Sequence, residues 1–459
     1  MALNIIRTLY RRTPEFLRKP IEYIPIKYRL GGSEFSETYS FLERSETWSQ
    51  ERLKTYQQRQ LRELLQHAVE TVPYYEGIEL PHDDPFQNLK GFPIVEKSEI
   101  RNNRSEFEST VLDSKTTHEV TTGGTSGEPF AFTLDDSAYG TEWAFIMCGW
   151  SRVGYSPGDQ LITFKGLEYE NADKGKYWKY NPIYSTYEFS PFHLTSKTVD
   201  SYIRKIQEIE PDYIHGYPSA ITKLVRLSQE HSEPLPDVDA VLAASENVYQ
   251  TQRETIENVL NTRLFSHYGQ TEKVALAAEC EHSNNYHLYP QYGVTEILDE
   301  NGIEVSAGER GEIVATGFLN KSMPFIRYRT GDYAVKGEIG DCACGRNYRV
   351  LESLQGREEK ERTLYLDESH EVAIHTVYYT MHGNTLNEVS AIQFYQQSPG
   401  EATIRIEPKN DPESVDKIGI INAIHGKLGE EFTVNVRFVE DIELTDSGKR
   451  QLLIQKYNS

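Results

Sequence analysis

Residues 121–127 read Thr-Thr-Gly-Gly-Thr-Ser-Gly, a run of glycine and hydroxyl side chains suited to phosphate chemistry. Glycine lets the backbone approach an anion closely, and hydroxyl and amide groups supply hydrogen-bond donors to it. The Gly-Lys-Ser/Thr ending of a Walker P-loop is missing, so the run is not such a loop. Because flexible turns more often have this composition, other nucleotide-binding residues must accompany it to indicate a phosphate loop.

A second segment, His267-Tyr268-Gly269-Gln270-Thr271-Glu272, follows an apolar pair, Leu264-Phe265, that is typical of a strand. The carboxyl ends of strands are the usual ligand sites of α/β proteins. At such an end the tyrosine ring offers a face to a base, and the threonine hydroxyl can contact a phosphate. The glutamate offers Mg²⁺ a hard oxygen ligand. The alternative interpretation is a polar loop without a ligand.

Three more segments each contain one side chain that could contact part of a nucleotide. Asp332 follows a glycine and can accept hydrogen bonds from ribose hydroxyls, although such an aspartate is more often a turn residue. Arg357 follows Gly356 at a change in composition. Lys449 follows Ser-Gly near the C-terminal end and could neutralise the charge that builds between a carboxylate and an α-phosphate. A lysine in that position is usually only solvated.

These five segments occur in the order and rough spacing of the adenylate-forming superfamily, which includes acyl-CoA synthetases, peptide-synthetase adenylation domains and luciferase. The chain resembles that superfamily from about residue 121 to residue 450. Residues 209–219, Ile-Glu-Pro-Asp-Tyr-Ile-His-Gly-Tyr-Pro-Ser, resemble the phenylacetate–CoA ligase branch, especially its CapK-like capsular polysaccharide biosynthesis members. The resemblance implies attack of a carboxylate on Mg·ATP to give an acyl-adenylate and pyrophosphate. Transfer to a thiol would follow, with coenzyme A as the default acceptor.

The resemblance also implies which residues hold the nucleotide. The residues on the β- and γ-phosphates would be Thr122, Gly123, Gly124, Thr125, Ser126 and Gly127. The residues around the adenosine would be Ser245, Glu246, Asn247, Tyr268, Gly269, Asp332 and Arg357. Among these, Tyr268 would stack on the base, and Asp332 would bind the ribose hydroxyls with help from Arg357.

By the same resemblance, Thr271 would touch the α-phosphate, Glu272 would ligate magnesium and Lys449 would stabilise the adenylation transition state. His215 and Tyr217 are the candidates for the acyl pocket. Two further readings stay open, an adenylate-dependent amide ligase acting on a capsule or surface-polysaccharide precursor and a non-catalytic nucleotide-binding protein.

A cysteine pair, Cys342-Ala343-Cys344, forms a knuckle followed by glycine, and Cys280 lies far upstream with His282 and His287 after it. Three thiolates and one imidazole make a closed tetrahedral zinc site, which would be structural because no ligand position is left open. The alternative is three unrelated thiols. Members of the resembled branch keep a Cys…His and a Cys-x-Cys in these places, which favours the pairing. We prefer His287 to His282 because it enters the predicted β region.

The elements that must position these residues form an α/β pattern between about residues 118 and 320, with helices before it and a β-rich stretch at 286–335. We expect a large multi-subdomain α/β domain with a β-rich subdomain, residues 1–356, followed by a small mobile α+β lid, residues 357–459. The family's Asp pair is missing near Glu359, so the position of the hinge is not predicted.

The 459 residues carry a formal charge of −22, which excludes a general nucleic-acid binder but permits a small carboxylate and a nucleotide as ligands. No run reaches the roughly 20 apolar residues that cross a bilayer, and the four cysteines suit a reducing cytoplasm. Residues 1–30 hold seven basic and two acidic residues. They predict either a solvated helix or a peripheral contact with an anionic membrane or a glycan-assembly partner. The oligomeric state is not predicted.

Overall fold

The computed structural model describes residues 19–111, 113–122, 130–164, 175–230, 234–340, 342–355, 363–367, 370–381, 384–386, 388–444 and 450–457. Over these residues the chain is a mixed α/β protein with a 12-stranded sheet and a separate C-terminal domain that has its own four-stranded sheet. This architecture confirms the predicted fold class. The predicted boundary between residues 356 and 357 lies outside the described residues.

The helices of the large domain are α1 (Ile26–Arg29), α2 (Ser33–Ser45), α3 (Gln50–Thr71), α4 (Pro85–Leu89), α5 (Lys97–Asn102), α6 (Arg104–Phe107), α7 (Ser137–Trp150), α8 (Val199–Ile209), α9 (Pro218–Glu230) and α10 (Gln250–Leu260). In α8 the buried residues Val199, Tyr202, Ile203 and Ile206 recur at helical spacing, so one face packs on the sheet. Ser49 begins α3 by accepting the N–H of Arg52. No helix among the described residues is long and apolar enough to cross a membrane.

The strands of the large domain are β1 (Thr117–Thr122), β2 (Phe130–Asp135), β3 (Leu161–Phe164), β4 (Trp178–Asn181), β5 (Thr186–Phe189), β6 (Tyr213–Gly216), β7 (Ala240–Ala243), β8 (Arg263–Gly269), β9 (Leu276–Ala278), β10 (Tyr286–Leu288), β11 (Gly293–Leu298), β12 (Arg310–Gly317), β13 (Tyr328–Ile339) and β14 (Arg349–Gln355). β1 and β2 form a separate hairpin, and the large sheet has the order β11-β12-β13-β14-β10-β9-β8-β7-β6-β3-β5-β4.

The large sheet has a parallel half and an antiparallel half that meet at β8. Strands β5, β3, β6, β7 and β8 run parallel, and from β8 through β9 to β11 every pairing is antiparallel. All four residues of β7, Ala-Val-Leu-Ala, are buried, as a central parallel strand covered by helices on both faces requires. The parallel half therefore supplies an edge of strand carboxyl ends for ligand binding.

The C-terminal domain consists of β15 (Thr363–Tyr365), β16 (Glu371–Ala373), α11 (Ile374–Tyr378), β17 (Val389–Gln396), β18 (Glu401–Pro408), α12 (Lys417–Leu428), β19 (Thr433–Phe438) and β20 (Leu453–Gln455). Its main sheet has the order β19-β18-β17-β20. Phe394 and Ile404 on the sheet and Ile420 and Ile424 on α12 belong to one core cluster of buried residues. This core explains why the α+β tail predicted from the sequence forms a domain of its own.

Gly216, the last residue of β6, yields a prediction about stability. Its φ is +153°, and a Cβ there would lie 2.6 Å from the Phe164 carbonyl oxygen. We expect Gly216→Ala to lower the free energy of unfolding by about 2 kcal/mol or more, measured by urea denaturation. Gly426→Ala is the control, because an added Cβ in that helix meets no atom within 4 Å. Equal denaturation midpoints for the two variants would contradict the expectation.

Candidate active site

The parallel strands β6, β7 and β8 bring three predicted site segments to one edge of the sheet. The strands are in register, with Gly216 paired to Ala243 and Ala243 paired to Ser266. Beyond the strands, the Ala244 N–H donates to the Gly216 carbonyl at 3.1 Å. Residues 215–217, 245–247 and 267–272 therefore lie at or just beyond the carboxyl ends of neighbouring strands, the position where open α/β sheets bind ligands.

Ser245, which follows β7 by two residues, has a φ of +68°. A residue other than glycine rarely adopts this left-handed conformation, and it costs free energy that the surrounding structure must offset. The strained turn exposes Ser245 at the sheet edge and leaves Glu246 and Asn247 partly buried beside it. The turn at residues 245–247, for which the sequence predicts contacts with adenine, therefore has a left-handed backbone conformation at Ser245.

Tyr268 and Asp332 form one hydrogen-bonded unit at this edge. The Tyr268 hydroxyl donates to Asp332 Oδ2 at 2.9 Å, and Gln270 Nε2 donates to the same hydroxyl at 2.5 Å. Burial, reinforced by the Asp332 charge, raises the pKa of Tyr268 well above its ordinary value. The hydroxyl therefore stays protonated and acts as a donor, which fixes the ring relative to the carboxylate.

Glu272 is buried, and its Oε1 accepts a hydrogen bond from the Tyr328 hydroxyl at 3.0 Å. Its Oε2 has no hydrogen-bond partner among the residues that the structure describes. Thr271, the preceding residue, is exposed. A fixed carboxylate with one uncommitted oxygen is a suitable ligand for a hard cation. Tyr328 was not predicted as a site residue. The signal for it in the sequence is its position between two arginines, four residues before Asp332.

Glu246 binds two parts of the chain. Its Oε2 accepts the Ser219 N–H at 3.1 Å, and its Oε1 accepts the Ser219 hydroxyl at 3.1 Å, so the carboxylate caps the start of α9. Oε1 also accepts the backbone N–H of Arg450, in the C-terminal domain, at 3.3 Å. One side chain thus joins the turn at residues 245–247, the start of a helix and the second domain.

His215 and His267 meet Trp150 beneath the edge. His215 Nδ1 donates to the Leu242 carbonyl at 2.7 Å, and its ring centroid lies 5.0 Å from that of Trp150 and 6.5 Å from that of His267. Burial lowers the pKa of His267 to about 4, so this imidazole is neutral. His267 Nδ1 and Trp150 Nε1 are buried without a hydrogen-bond partner among the described residues. Trp150 gave no signal in the sequence, because its contacts come from distant strands.

Several predicted residues lie outside the described residues. These are Gly123, Gly124, Thr125, Ser126, Gly127, Arg357 and Lys449. Thr122 is the last residue of β1, which places the start of the predicted phosphate loop at the end of the β1–β2 hairpin.

Cys280, His287, Cys342 and Cys344 form a compact cluster, with all four ligand atoms within 4.8 Å of one another. The two sulfurs of Cys280 and Cys342 are 3.4 Å apart, and Cys344 Sγ lies 3.8 Å from His287 Nε2. His282 contributes only its backbone N–H, to Cys280 Sγ at 3.1 Å. The geometry brings together the four residues predicted from the sequence, including His287 in preference to His282.

The surroundings of the cluster suit a metal with three thiolates. A divalent ion with three thiolates and a neutral imidazole has a net charge of about −1, which needs a nearby cation when buried. Arg152 donates to the Glu279 carbonyl at 2.8 Å, just before Cys280, and Arg346 follows Cys344 by two residues. Glu46 Oε1 accepts hydrogen bonds from Arg152 Nε at 3.0 Å and from Arg346 Nε at 2.6 Å. Arg346 also pairs with Glu281 at 2.6 Å, so the two arginines are balanced by two carboxylates, and it is the donor set of three thiols and one imidazole that fits a Zn²⁺ ion.

Comparison with known proteins agrees with this geometry. Residues 189–320 match the AMP-binding enzyme family and residues 366–456 match the CapK C-terminal domain. Protein CapK of Staphylococcus aureus is 22% identical over 387 residues, covering 80% of each chain. The phenylacetate-coenzyme A ligase of Escherichia coli (strain K12) is 26% identical over 318 residues, covering 64% of this chain and 70% of the relative.

A solved 2-hydroxyisobutyryl-CoA ligase has the same fold. In its postadenylation state, in complex with R3-HIB-AMP, its TM-score is 0.66 at 17% identity, covering 90% of this chain and 91% of the ligase. In its thioesterification state, in complex with 2-HIB-AMP and CoA, the TM-score is 0.55 at 18% identity, and the match covers 91% of this chain and 92% of the ligase.

The AMP-binding match and the ligase relatives support an AMP-forming ligase, and the solved ligase shows that the fold is that of such an enzyme. The chain is similar to CapK and to the phenylacetate-CoA ligases, and its residues 366–456 match the C-terminal domain named after CapK.

The cysteine cluster yields a prediction about metal content. Protein purified without added zinc should contain about one equivalent of Zn²⁺, and Cys342→Ser should lose it and unfold at lower temperature. Cys148→Ala is the control, because Cys148 is a buried thiol outside the cluster. Elemental analysis by mass spectrometry measures the metal, and less than half an equivalent in the wild type would contradict the assignment.

Proposed function

We propose that the protein joins a small carboxylic acid to the α-phosphate of ATP and then passes the acyl group to a thiol. In the first step a carboxylate oxygen attacks the α-phosphorus, a new oxygen–phosphorus bond forms and the bond to pyrophosphate breaks. The observation that carries the proposal is the Tyr268–Asp332 unit beside the strained turn at Ser245, on the carboxyl edge of the parallel strands. An aromatic face, a ribose acceptor and a polar turn on one edge suit adenosine.

The nucleotide roles follow from this arrangement. Tyr268 stacks on the adenine, held in place by its hydrogen bond to Asp332. Asp332 accepts the ribose hydroxyls through its carboxylate oxygens. Residues 122–127 hold the outer phosphates, Arg357 assists at the ribose and Lys449 neutralises charge in the transition state, as the family resemblance implies.

Glu272 is the proposed magnesium ligand, because its carboxylate is buried and fixed on one side by Tyr328. The ion would neutralise phosphate charge during the attack. Thr271 contacts the α-phosphate from the exposed side of the same turn. Because the chemistry needs positioning and charge neutralisation, no side-chain nucleophile is assigned.

The acyl group is proposed to lie against His215 and Tyr217 at the end of β6, near Trp150. Coenzyme A is the proposed acceptor, since relatives in both comparisons are CoA ligases. The Cys₃His cluster is proposed to hold Zn²⁺ as a structural ion.

An amide-forming ligase is the second candidate function. The match to CapK covers 80% of this chain, and residues 366–456 match the CapK C-terminal domain. In this alternative that domain would serve an amine on a surface-polysaccharide precursor in place of CoA.

A screen of carboxylic acids tests the proposed function. With the substrate acid, wild-type protein should release pyrophosphate from Mg·ATP, and AMP release should rise when CoA is added. AMP release that responds to amines and not to CoA would favour the amide ligase. Absence of carboxylate-dependent ATP–pyrophosphate exchange across a broad panel of acids would contradict adenylation by this protein.

The Tyr268–Asp332 unit yields a further prediction. Tyr268→Phe keeps the ring but loses the hydrogen bond, so KM for ATP should rise about fivefold, which corresponds to about 1 kcal/mol. Asp332→Ala also removes the ribose acceptor and should lower kcat/KM for ATP by 100-fold or more, as an order of magnitude. Asp299→Asn, on an exposed turn, is the control. Unchanged ATP kinetics in Asp332→Ala would exclude the assigned role.

A further inference from the structure

The hydrogen bond between Glu272 and Tyr328 is flanked by two residues with a left-handed backbone. Lys273, which follows Glu272, has a φ of +56°, and Arg327, which precedes Tyr328, has a φ of +50°. Long side chains rarely adopt this conformation, because it costs free energy that other contacts must offset. The strain lies directly beside the proposed magnesium ligand and directly beside the tyrosine that holds it, which points to a role in the site.

Lys273 is held by an ion pair below the surface. The residue is buried, and its ammonium group pairs with Glu142 on α7. The other oxygen of Glu142 accepts the Tyr292 hydroxyl at 3.4 Å. On the backbone, the Lys273 N–H donates to the Gln270 carbonyl at 3.1 Å and closes the turn that bears Glu272. The turn is thereby fixed to α7.

The backbone of Lys273 also lies against the end of β12. A Cβ at Gly317, the last residue of that strand, would lie 2.5 Å from the Lys273 carbonyl oxygen and 2.9 Å from the Val274 Cα. Only a residue without a side chain permits such a close approach of two backbones. The peptide that follows Glu272 is therefore confined between α7, through the ion pair, and β12, through this contact.

Arg327 is buried and is held in a similar way. Its Nε and Nη2 donate to the two oxygens of Glu296 on β11, each at 3.0 Å, and its Nη1 donates to the Phe92 carbonyl at 3.2 Å. The Arg327 N–H donates to the Thr316 hydroxyl on β12 at 2.9 Å. A two-pronged pair fixes the orientation of the guanidinium as well as its charge. The peptide that precedes Tyr328 is thus fixed to β11 and β12.

Stability alone does not explain the two ion pairs. A buried pair of charges contributes little net free energy, because both charges must be removed from water. The left-handed conformation of each cation adds a further cost. Two costly features that occur together on both sides of one hydrogen bond are better explained by the orientation that they impose on it.

We propose that Lys273 and Arg327 are positioning residues, which anchor the two left-handed peptides, hold Glu272 against Tyr328 and leave Glu272 Oε2 available to a divalent cation. The proposal rests on the proposed function, because it takes Glu272 as the ligand of the magnesium in Mg·ATP. It also explains how a lysine can follow the metal ligand directly. Its charge is paired with Glu142, so it does not take the place of the cation at Glu272.

The magnesium dependence of ATP binding tests the proposal without turnover. Calorimetric titration with ATP, in the presence and absence of Mg²⁺, measures the factor by which the ion strengthens binding. In Lys273→Met this factor should fall about tenfold, because groups that orient a metal ligand affect metal affinity on this scale. The affinity for ATP without Mg²⁺ should not change. Lys336→Met, which removes an ion pair with Glu304 elsewhere on β13, is the control and should behave as the wild type.

A double variant separates loss of position from loss of stability. Lys273→Met leaves Glu142 without its partner and should lower the unfolding temperature. Lys273→Met/Glu142→Gln removes the unpaired charge, so the unfolding temperature should largely recover while the effect of Mg²⁺ on ATP binding stays weak. Recovery of both quantities would show that the pair is only structural and would overturn the proposal.

Two further variants test whether the residues act through Glu272. Arg327→Lys keeps the charge but loses the two-pronged contact with Glu296, so the effect of Mg²⁺ should fall about threefold or more. In a Glu272→Gln background, Lys273→Met should cause no additional loss, because the group that it positions is already gone. A full additional loss in that background would contradict the positioning role.

The same titrations separate this proposal from the proposed function. If no acid supports adenylation but Mg²⁺ strengthens ATP binding in a manner that depends on Lys273, the proposed function fails and the positioning role stands. If adenylation proceeds and Mg²⁺ strengthens ATP binding equally in the wild type and in Lys273→Met, only the positioning role fails. If Mg²⁺ does not strengthen ATP binding to the wild type, the assignment of Glu272 to magnesium fails, and the positioning role fails with it.

Discussion

The parallel register of β6, β7 and β8 is the constraint on which the site depends. Because Gly216, Ala243 and Ser266 lie side by side, the ends of β6 and β7 and the last residues of β8 lie at one edge of the parallel half. A shift of one residue in any pair would turn the buried side chains of a strand to the opposite face. Both faces of β7 are buried, so a shift there would exchange the side chains that pack into the cores on the two sides of the sheet. The strained turn at Ser245 begins at the end of this strand.

The acidic residues at this edge of the sheet are satisfied by neutral donors, in a protein whose formal charge is −22. Glu246, Glu272 and Asp332 each accept hydrogen bonds from neutral donors of the protein, a serine in the first case and a tyrosine in the other two. Such donors stabilise the ionised carboxylates but leave them negative, so in the proposed function the phosphate charge must be neutralised by magnesium and by basic side chains. The tyrosine-rich composition thus has a function at the site, where ring and hydroxyl are both used.

The sequence predicted the elements and motifs whose signals are local. The helices before about residue 118, the α/β pattern from about 118 to 320, the β-rich stretch at 286–335 and the four residues of the cysteine cluster all lie as expected. Contacts between distant segments were not predictable, because nothing within a few residues of Glu246 indicates that it caps α9 and binds Arg450. Trp150 was missed for the same reason, and the predicted phosphate loop and Lys449 lie outside the described residues.

The cysteine cluster also bears on the nucleotide site, through the topology of the sheet. Tyr268 on β8 and Asp332 on β13 are hydrogen-bonded, although β9, β10 and β14 stand between their strands in the sheet. The bond requires this part of the sheet to curve so that the two strands approach each other. Cys280 follows β9, His287 lies in β10, and Cys342 and Cys344 precede β14, so the cluster links the three intervening strands. A metal bound there would hold that curvature, and its loss should loosen the Tyr268–Asp332 unit without any contact to the nucleotide.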